Sequence, residues 1–136
     1  MRRRSRDSRS RREGGYSSVE LVLYMPLLLG MIVVTVQFAL IYLANEYASA
    51  AAREANRVAR VTGDVDQGVA KGNQVVNDMG DGMLAGAVVR VRPVGDDVVE
   101  TVVTGHAPRI VPFLDIVEVS ETVRGPVERF EPDVAP

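Results

Sequence analysis

The residue of most chemical consequence in this 136-residue chain is Glu20, a carboxylate set directly before 23 uncharged residues, Leu21 to Leu43. An ionisable group abutting an apolar helix is disfavoured by a few kcal/mol near a bilayer centre and by less near an interface, so it needs a compensating charge or the positive end of a helix dipole. Little else in the chain offers reactivity. His106 is the sole histidine, lies between Gly105 and Pro108, and reads as a solvated loop side chain rather than a base or ligand. Asp64 with Asp66, and Asp78 with Asp81, could contribute to calcium binding, but the ordered EF-hand pattern is missing and they read as turn acids. Cysteine is absent, which excludes disulfides, thiolate metal sites and a thiol nucleophile. No nucleophilic triad can be assembled. The expectation is therefore no enzyme, no metal, no cofactor and no small-molecule substrate.

The element that must carry Glu20 is a membrane helix. Twenty-three residues at about 1.5 Å each span roughly 34 Å, enough to cross a bilayer core with some tilt. A secretory signal's apolar core is shorter, about 7–15 residues, so the small-x-small sequence Ala48-Ser49-Ala50 is read as helix and not as a cleavage site. Residues 1–13 hold seven arginines against two acids, a net +5, and the rest of the chain holds nine basic and sixteen acidic groups, a net -7. By the positive-inside rule the N-terminus lies in the cytoplasm and everything after Leu43 is extracytoplasmic. Ser10-Arg11-Arg12 lacks the apolar pair a twin-arginine signal would place next. With no aromatic residue among the leader arginines and a membrane span following, they read as a topology signal with no nucleic-acid partner.

Between leader and apolar run stands Gly14-Gly15-Tyr16-Ser17-Ser18-Val19-Glu20-Leu21. This segment resembles the type IV prepilin signal: a basic leader, a glycine, cleavage, and glutamate as fifth residue of the mature helix. Only Gly15 gives that spacing. The resemblance implies cleavage between Gly15 and Tyr16, removing the leader and creating an amine on Tyr16. A Glu20 carboxylate in an apolar bundle could then be compensated by the Tyr16 amine of an adjacent subunit, which would fix axial register.

A longer pattern adds to this. Ser18-Val19-Glu20-Leu21-Val22-Leu23-Tyr24-Met25-Pro26-Leu27-Leu28-Leu29, then Gln37-Phe38, then Ala50-Ala51-Ala52-Arg53-Glu54-Ala55, is similar to the TadE-like pseudopilins of tight-adherence (Flp-type) pilus systems. The likeness covers residues 14–61. It implies a membrane-embedded prepilin peptidase, other pilins and pseudopilins and the pilus assembly platform as partners. It also implies a minor role in assembling, priming or capping a surface pilus, in which the protein could itself be incorporated. Leu21 stands where major Flp pilins usually carry tyrosine, and the C-terminal part is longer than a major pilin's, so a minor pseudopilin is indicated. The alternative is an uncleaved single-pass anchor presenting an extracytoplasmic binding or adhesion head.

The expected layout is α+β: a leader (1–15), a transmembrane and stalk helix (16–61), an extracytoplasmic head (62–124) and a proline-rich tail (125–136) expected to be extended or disordered. Pro26 is expected to kink the helix. Ala48, Ala51, Ala52, Ala55 and Ala59 form a small-residue stripe that admits either a partner helix or the chain's own head. In the head, Asp64 is expected to cap a short helix with Val65, Val69, Gly72, Val76 and Met79 on one face, although Gly68 and Gly72 weaken it. That helix should end at Gly80-Asp81-Gly82. Three antiparallel strands are expected: Ala87–Val94 and Val98–Thr104 joined through Gly95-Asp96-Asp97, and Ile116–Val123, with Pro108 and Pro112 making the second connection irregular.

Overall fold

A computed structural model describes residues 13–79, 82–112 and 114–128, with side chains described from Val19 onward. Its elements are helix α1 (Glu13–Thr62), helix α2 (Val65–Asp78), and strands β1 (Ala85–Val94), β2 (Val98–His106) and β3 (Glu118–Pro126). The strands form one antiparallel sheet in the order β1-β2-β3. The long helix, short helix and three-stranded sheet are the α+β layout expected from sequence. The chain divides into two compact units, Met1–Thr35 and Val36–Pro136.

Helix α1 begins at Glu13, a few residues before the expected start, with an acid at the positive end of the helix dipole. Leader residues 1–12 lie outside the described residues. The helix continues through Pro26. It ends at Gly63, whose φ of +68° is the left-handed conformation that closes a helix, its N–H donating to the Ala59 carbonyl at 3.0 Å. One residue later Asp64 accepts from the N–H groups of Asp66 and Gln67 at 2.9 and 3.3 Å and starts α2, as its position predicted.

In the unit from Val36 onward, the buried residues of α1 are Gln37, Ala44, Ala48, Ala51, Ala52, Ala55, Asn56 and Ala59. That recurrence puts them on one face. The alanine stripe is thus covered by the chain's own head, the second of the two options open at the sequence level. Against it lie Val89, Val91, Val99, Val103 and Val119 from the sheet's inner face. Nothing larger than valine on those strands is needed, because methyl groups on α1 let the sheet come close.

The two glycines that weakened the prediction of α2 explain its packing. A Cβ on Gly68 would lie 2.8 Å from Ala59 Cβ and 2.9 Å from the Ala55 carbonyl oxygen. One on Gly72 would lie 2.7 Å from Val89 Cγ1 and 3.0 Å from Ala55 Cβ. Glycine costs helix stability of about 1 kcal/mol each relative to alanine, but here it is what allows α2 to touch α1 and β1.

Strand β3 departs from expectation at both ends. Ile116 and Val117 lie outside it because β2 ends at His106, paired with Glu118, and the chain then turns away at Pro108. Its alternation nevertheless holds, with Val119 and Gly125 buried and Val123 half-buried. At the other end Gly125 and Pro126 complete the strand, and Val127 N–H donates to the Asp97 carbonyl at 2.7 Å. Arg60 donates to the Pro126 carbonyl at 2.6 Å and to Glu128 Oε1 at 2.9 Å. The chain therefore stays bound to the head four residues beyond the expected boundary at 124. Residues 129–136 of the expected tail, and Gly80-Asp81, lie outside the described residues.

Gly68→Ala should destabilise the head even though alanine is the better helix former. Its new methyl meets backbone and a second methyl, neither of which can rotate away, at an overpacking cost of about 1–3 kcal/mol. Thermal unfolding in detergent should show a Tm lowered by a few degrees, whereas Asn73→Ala on the exposed face of α2 should leave it unchanged or raise it.

Candidate membrane and assembly site

The candidate site begins where α1 carries no head. From Val19 through Val36 every large apolar side chain except the half-buried Val33 is exposed, Val19 at 72%. The most apolar stretch has a mean hydropathy of 2.4 with 11% of it buried. A helix apolar on all sides without protein around it suits lipid and not water. This one long apolar N-terminal helix fits a single-pass membrane protein. Within it Gly30 has no atom within 4 Å of where a Cβ would stand, and Thr35 Oγ1 returns its hydrogen to the Met31 carbonyl at 2.8 Å, satisfying a hydroxyl that lipid could not.

Glu20 is exposed at the border of this surface. The Gly15 and Tyr16 backbones lie in the opening turns of α1, and the Tyr16 side chain is outside those described. Pro26 removes one backbone donor from the helix, leaving the Val22 carbonyl without its usual partner. The prepilin residues thus share one helix end, while the partner envisaged for Glu20 belongs to another subunit.

Farther along α1 the similarity segments acquire physical roles that the sequence did not reveal. Gln37 is 5% exposed; its Nε2 donates to the Pro108 carbonyl and its Oε1 accepts from Ile110 N–H, both at 3.0 Å. One amide thereby binds the backbone of the β2–β3 loop from both sides. In Ala50-Ala51-Ala52-Arg53-Glu54-Ala55, the alanines at 51, 52 and 55 are buried and Arg53 is exposed. Glu54 pairs with Arg57 at 2.7 Å, and that hydrogen bond, with the guanidinium charge, holds the Glu54 carboxyl below its ordinary range. Asn56, next on the buried face, donates from Nδ2 to the Val99 carbonyl (3.0 Å), Thr101 Oγ1 (3.2 Å) and the Val123 carbonyl (3.3 Å). With two hydrogens for three acceptors, one contact is shared. The residue ties α1 to β2 and β3 at once.

The sheet's outer face carries a charge cluster that sequence reading also missed. Arg92, Glu100 and Arg124 are aligned by register across β1, β2 and β3. Arg92 Nε donates to Glu100 Oε1 at 2.7 Å, Arg124 Nε donates to Oε2, and the two guanidinium groups cover the carboxylate. The hydrogen bonds from Arg92 and then Arg124 hold the Glu100 carboxyl below its ordinary value of 4.5. Only the strand register brings the three together, and single strands read separately cannot show it.

Of the other candidates, Asp64 is consumed as a helix cap; hydrogen bonds from the Gln67 side chain and backbone lower its carboxyl pKa. His106 is the exposed last residue of β2. Among the described residues no group of three or more His, Cys, Asp or Glu could hold a metal ion.

A depressed carboxylate stabilises the fold above its unfolded value, and that stability is lost as pH falls through the lower folded value. Glu100→Gln should therefore lower the Tm at neutral pH, with the gap to wild type closing as pH drops below 4.5. Melting curves across that range, followed by circular dichroism, check this; a gap that stayed constant would mean the cluster contributes no linkage.

With this geometry in place, comparison with known proteins gives one result. Residues 15–57 match the family described as TadE-like protein, of the Tad/Flp pilus system. The matched stretch contains Glu20, Pro26, Gln37, the Ala-Ala-Arg-Glu-Ala segment and Asn56, and it stops short of α2 and the sheet. No curated protein and no solved structure matches the chain.

Proposed function

We propose, proceeding from the TadE-like match over residues 15–57, that this chain is a minor pseudopilin of a Flp/Tad-type surface pilus, cleaved by a prepilin peptidase between Gly15 and Tyr16. The observation that carries the proposal is the coincidence of that match with a bare apolar helix whose border residue is Glu20. The family itself is one of Tad pilus-associated membrane proteins, structural and not enzymatic.

In this reading the arginine leader keeps the N-terminus cytoplasmic, and the head is extracytoplasmic. Gly14 and Gly15 each make the helix about 1 kcal/mol less favourable than alanine would, so the opening turn yields readily to a peptidase. After cleavage the Tyr16 amine carries a positive charge at the membrane border. Glu20 of a neighbouring subunit accepts it, and a subunit out of axial register leaves both charges unpaired in an apolar setting, which is strongly disfavoured. Pro26 bends the helix between this pair and the stalk. The role in the pilus is assembly, priming or capping. An uncleaved anchor presenting an adhesive head is the competing reading, and α1's unbroken run across Gly15 and Tyr16 is the feature that favours it.

Intact-mass analysis of the protein from its native membrane should give a chain beginning at Tyr16. Gly15→Leu should abolish processing, and Glu20→Ala should permit cleavage while strongly reducing piliation. A leader still attached to assembled, functional protein would overturn the proposal in favour of the anchor.

A further inference from the structure

We infer that the β2–β3 loop, residues 107–117, is a second membrane contact, its apolar side chains lying in the interfacial layer of the bilayer that α1 crosses. The inference rests on the reading of α1 as a membrane span. It deepens that reading by giving the head a defined seat on the lipid.

The first observation is the loop's surface. Ile110, Leu114 and Ile116 are 49%, 41% and 60% exposed, and the segment's only charged residues are Arg109 and Asp115. Three aliphatic side chains on one short loop are a poor surface to leave in water and a good one to place at a lipid boundary.

The second is the Gln37 clamp, which sets where the loop sits. Gln37 is the seventeenth residue of the uncharged run, and six more apolar or uncharged residues follow it before Ala44. A bilayer core takes about 20 helical residues. Tyr42, exposed on α1, and Glu46, the first charge after the run, mark the water side of the boundary. Gln37 therefore falls below that boundary, beside the 68%-exposed Phe38. A primary amide at such depth costs several kcal/mol unless both its ends are bonded. Here both are, to Pro108 and Ile110. The loop backbone is what makes Gln37 tolerable there, so the loop accompanies it to that depth.

The third is the loop's own backbone, which meets the requirement that lipid imposes on irregular chain. Pro108 and Pro112 have no N–H to satisfy. Ala107 N–H donates to the Val117 carbonyl at 3.0 Å, Ile110 N–H to Gln37, and Leu114 N–H to the Val111 carbonyl at 3.2 Å. Arg109 Nη1 donates to the Leu114 carbonyl at 3.3 Å, closing the loop on itself and leaving the rest of its guanidinium for the headgroup layer.

The absence of native cysteine makes the test direct. Single cysteines at Leu114, Ile116, Ile32 and Thr122 in the full chain would be labelled with an environment-sensitive fluorophore and reconstituted in phosphatidylcholine–phosphatidylglycerol vesicles. Quenching would then be measured with spin-labelled lipids, shallow or deep, and with aqueous iodide. Labels at Leu114 and Ile116 should be quenched several-fold more by the shallow lipid probe than the label at Thr122 on the sheet's outer face, and the Ile32 label should respond to the deep probe. Adding Gln37→Leu should release the loop labels to iodide while the Ile32 response persists. Loop labels reached by iodide alone, with Ile32 still quenched by the deep probe, would overturn the inference and leave the membrane span intact. An Ile32 label that the deep probe does not reach would remove the span and the inference with it. Loop labels shielded from lipid and water alike would assign the surface to a protein neighbour and overturn the inference.

Discussion

One continuous helix has to satisfy two surroundings, and the change of side-chain size along it governs everything else. Through Val36 α1 presents bulky aliphatic residues with no protein around them. From Ala44 to Ala59 its inward face is almost entirely alanine. Large groups on the first stretch maximise apolar area against lipid. Methyl groups on the second minimise the distance to the sheet and to α2. Gln37 stands at the change, its amide too polar for the first environment and satisfied only by a loop of the second.

The head's economy follows from that stripe. Its fully buried side chains are no larger than glutamate, valine, asparagine and threonine, so no single aromatic anchor organises it. Cohesion comes instead from close approach and from a few polar ties. Asn56 spans two strands from one helix position, Arg60 returns the end of β3 to the end of α1, and the Arg92–Glu100–Arg124 row laces the outer face. Each tie replaces bulk that the alanine stripe excludes.

Much of this was legible in the sequence because it is local. Charge-free length marked the span, Asp64 marked its cap, Gly95-Asp96-Asp97 marked the hairpin, and alternation marked the buried side of β3. What was not legible depends on partners distant in the chain. Gly68 and Gly72 look like defects in a helix until Ala55, Ala59 and Val89 are seen against them. Gln37 looks like an ordinary polar interruption until residues more than seventy positions away close around it. Glu100 looks like a solvated strand acid until register sets an arginine on either side. The ends of β3 shifted for the same reason: where β2 stops decides where β3 can pair. In the candidate site, the spacing of Gly15, Tyr16 and Glu20 was read directly, whereas the intermolecular pairing proposed for them belongs to an assembly and not to one chain.

The alanine stripe has a geometrical consequence. Because the sheet sits a single methyl's thickness from α1, the head has no slack with which to swivel about the helix axis, and its azimuth is locked to the helical phase of residues 44–59. In a filament built by stacking helices, the compass direction in which the arginine-rich face of each subunit points would be dictated by that phase alone. Each residue added within a helix rotates the remainder of the chain by about 100°; one inserted between the membrane segment and the stripe would re-aim the whole head without altering a single contact inside it.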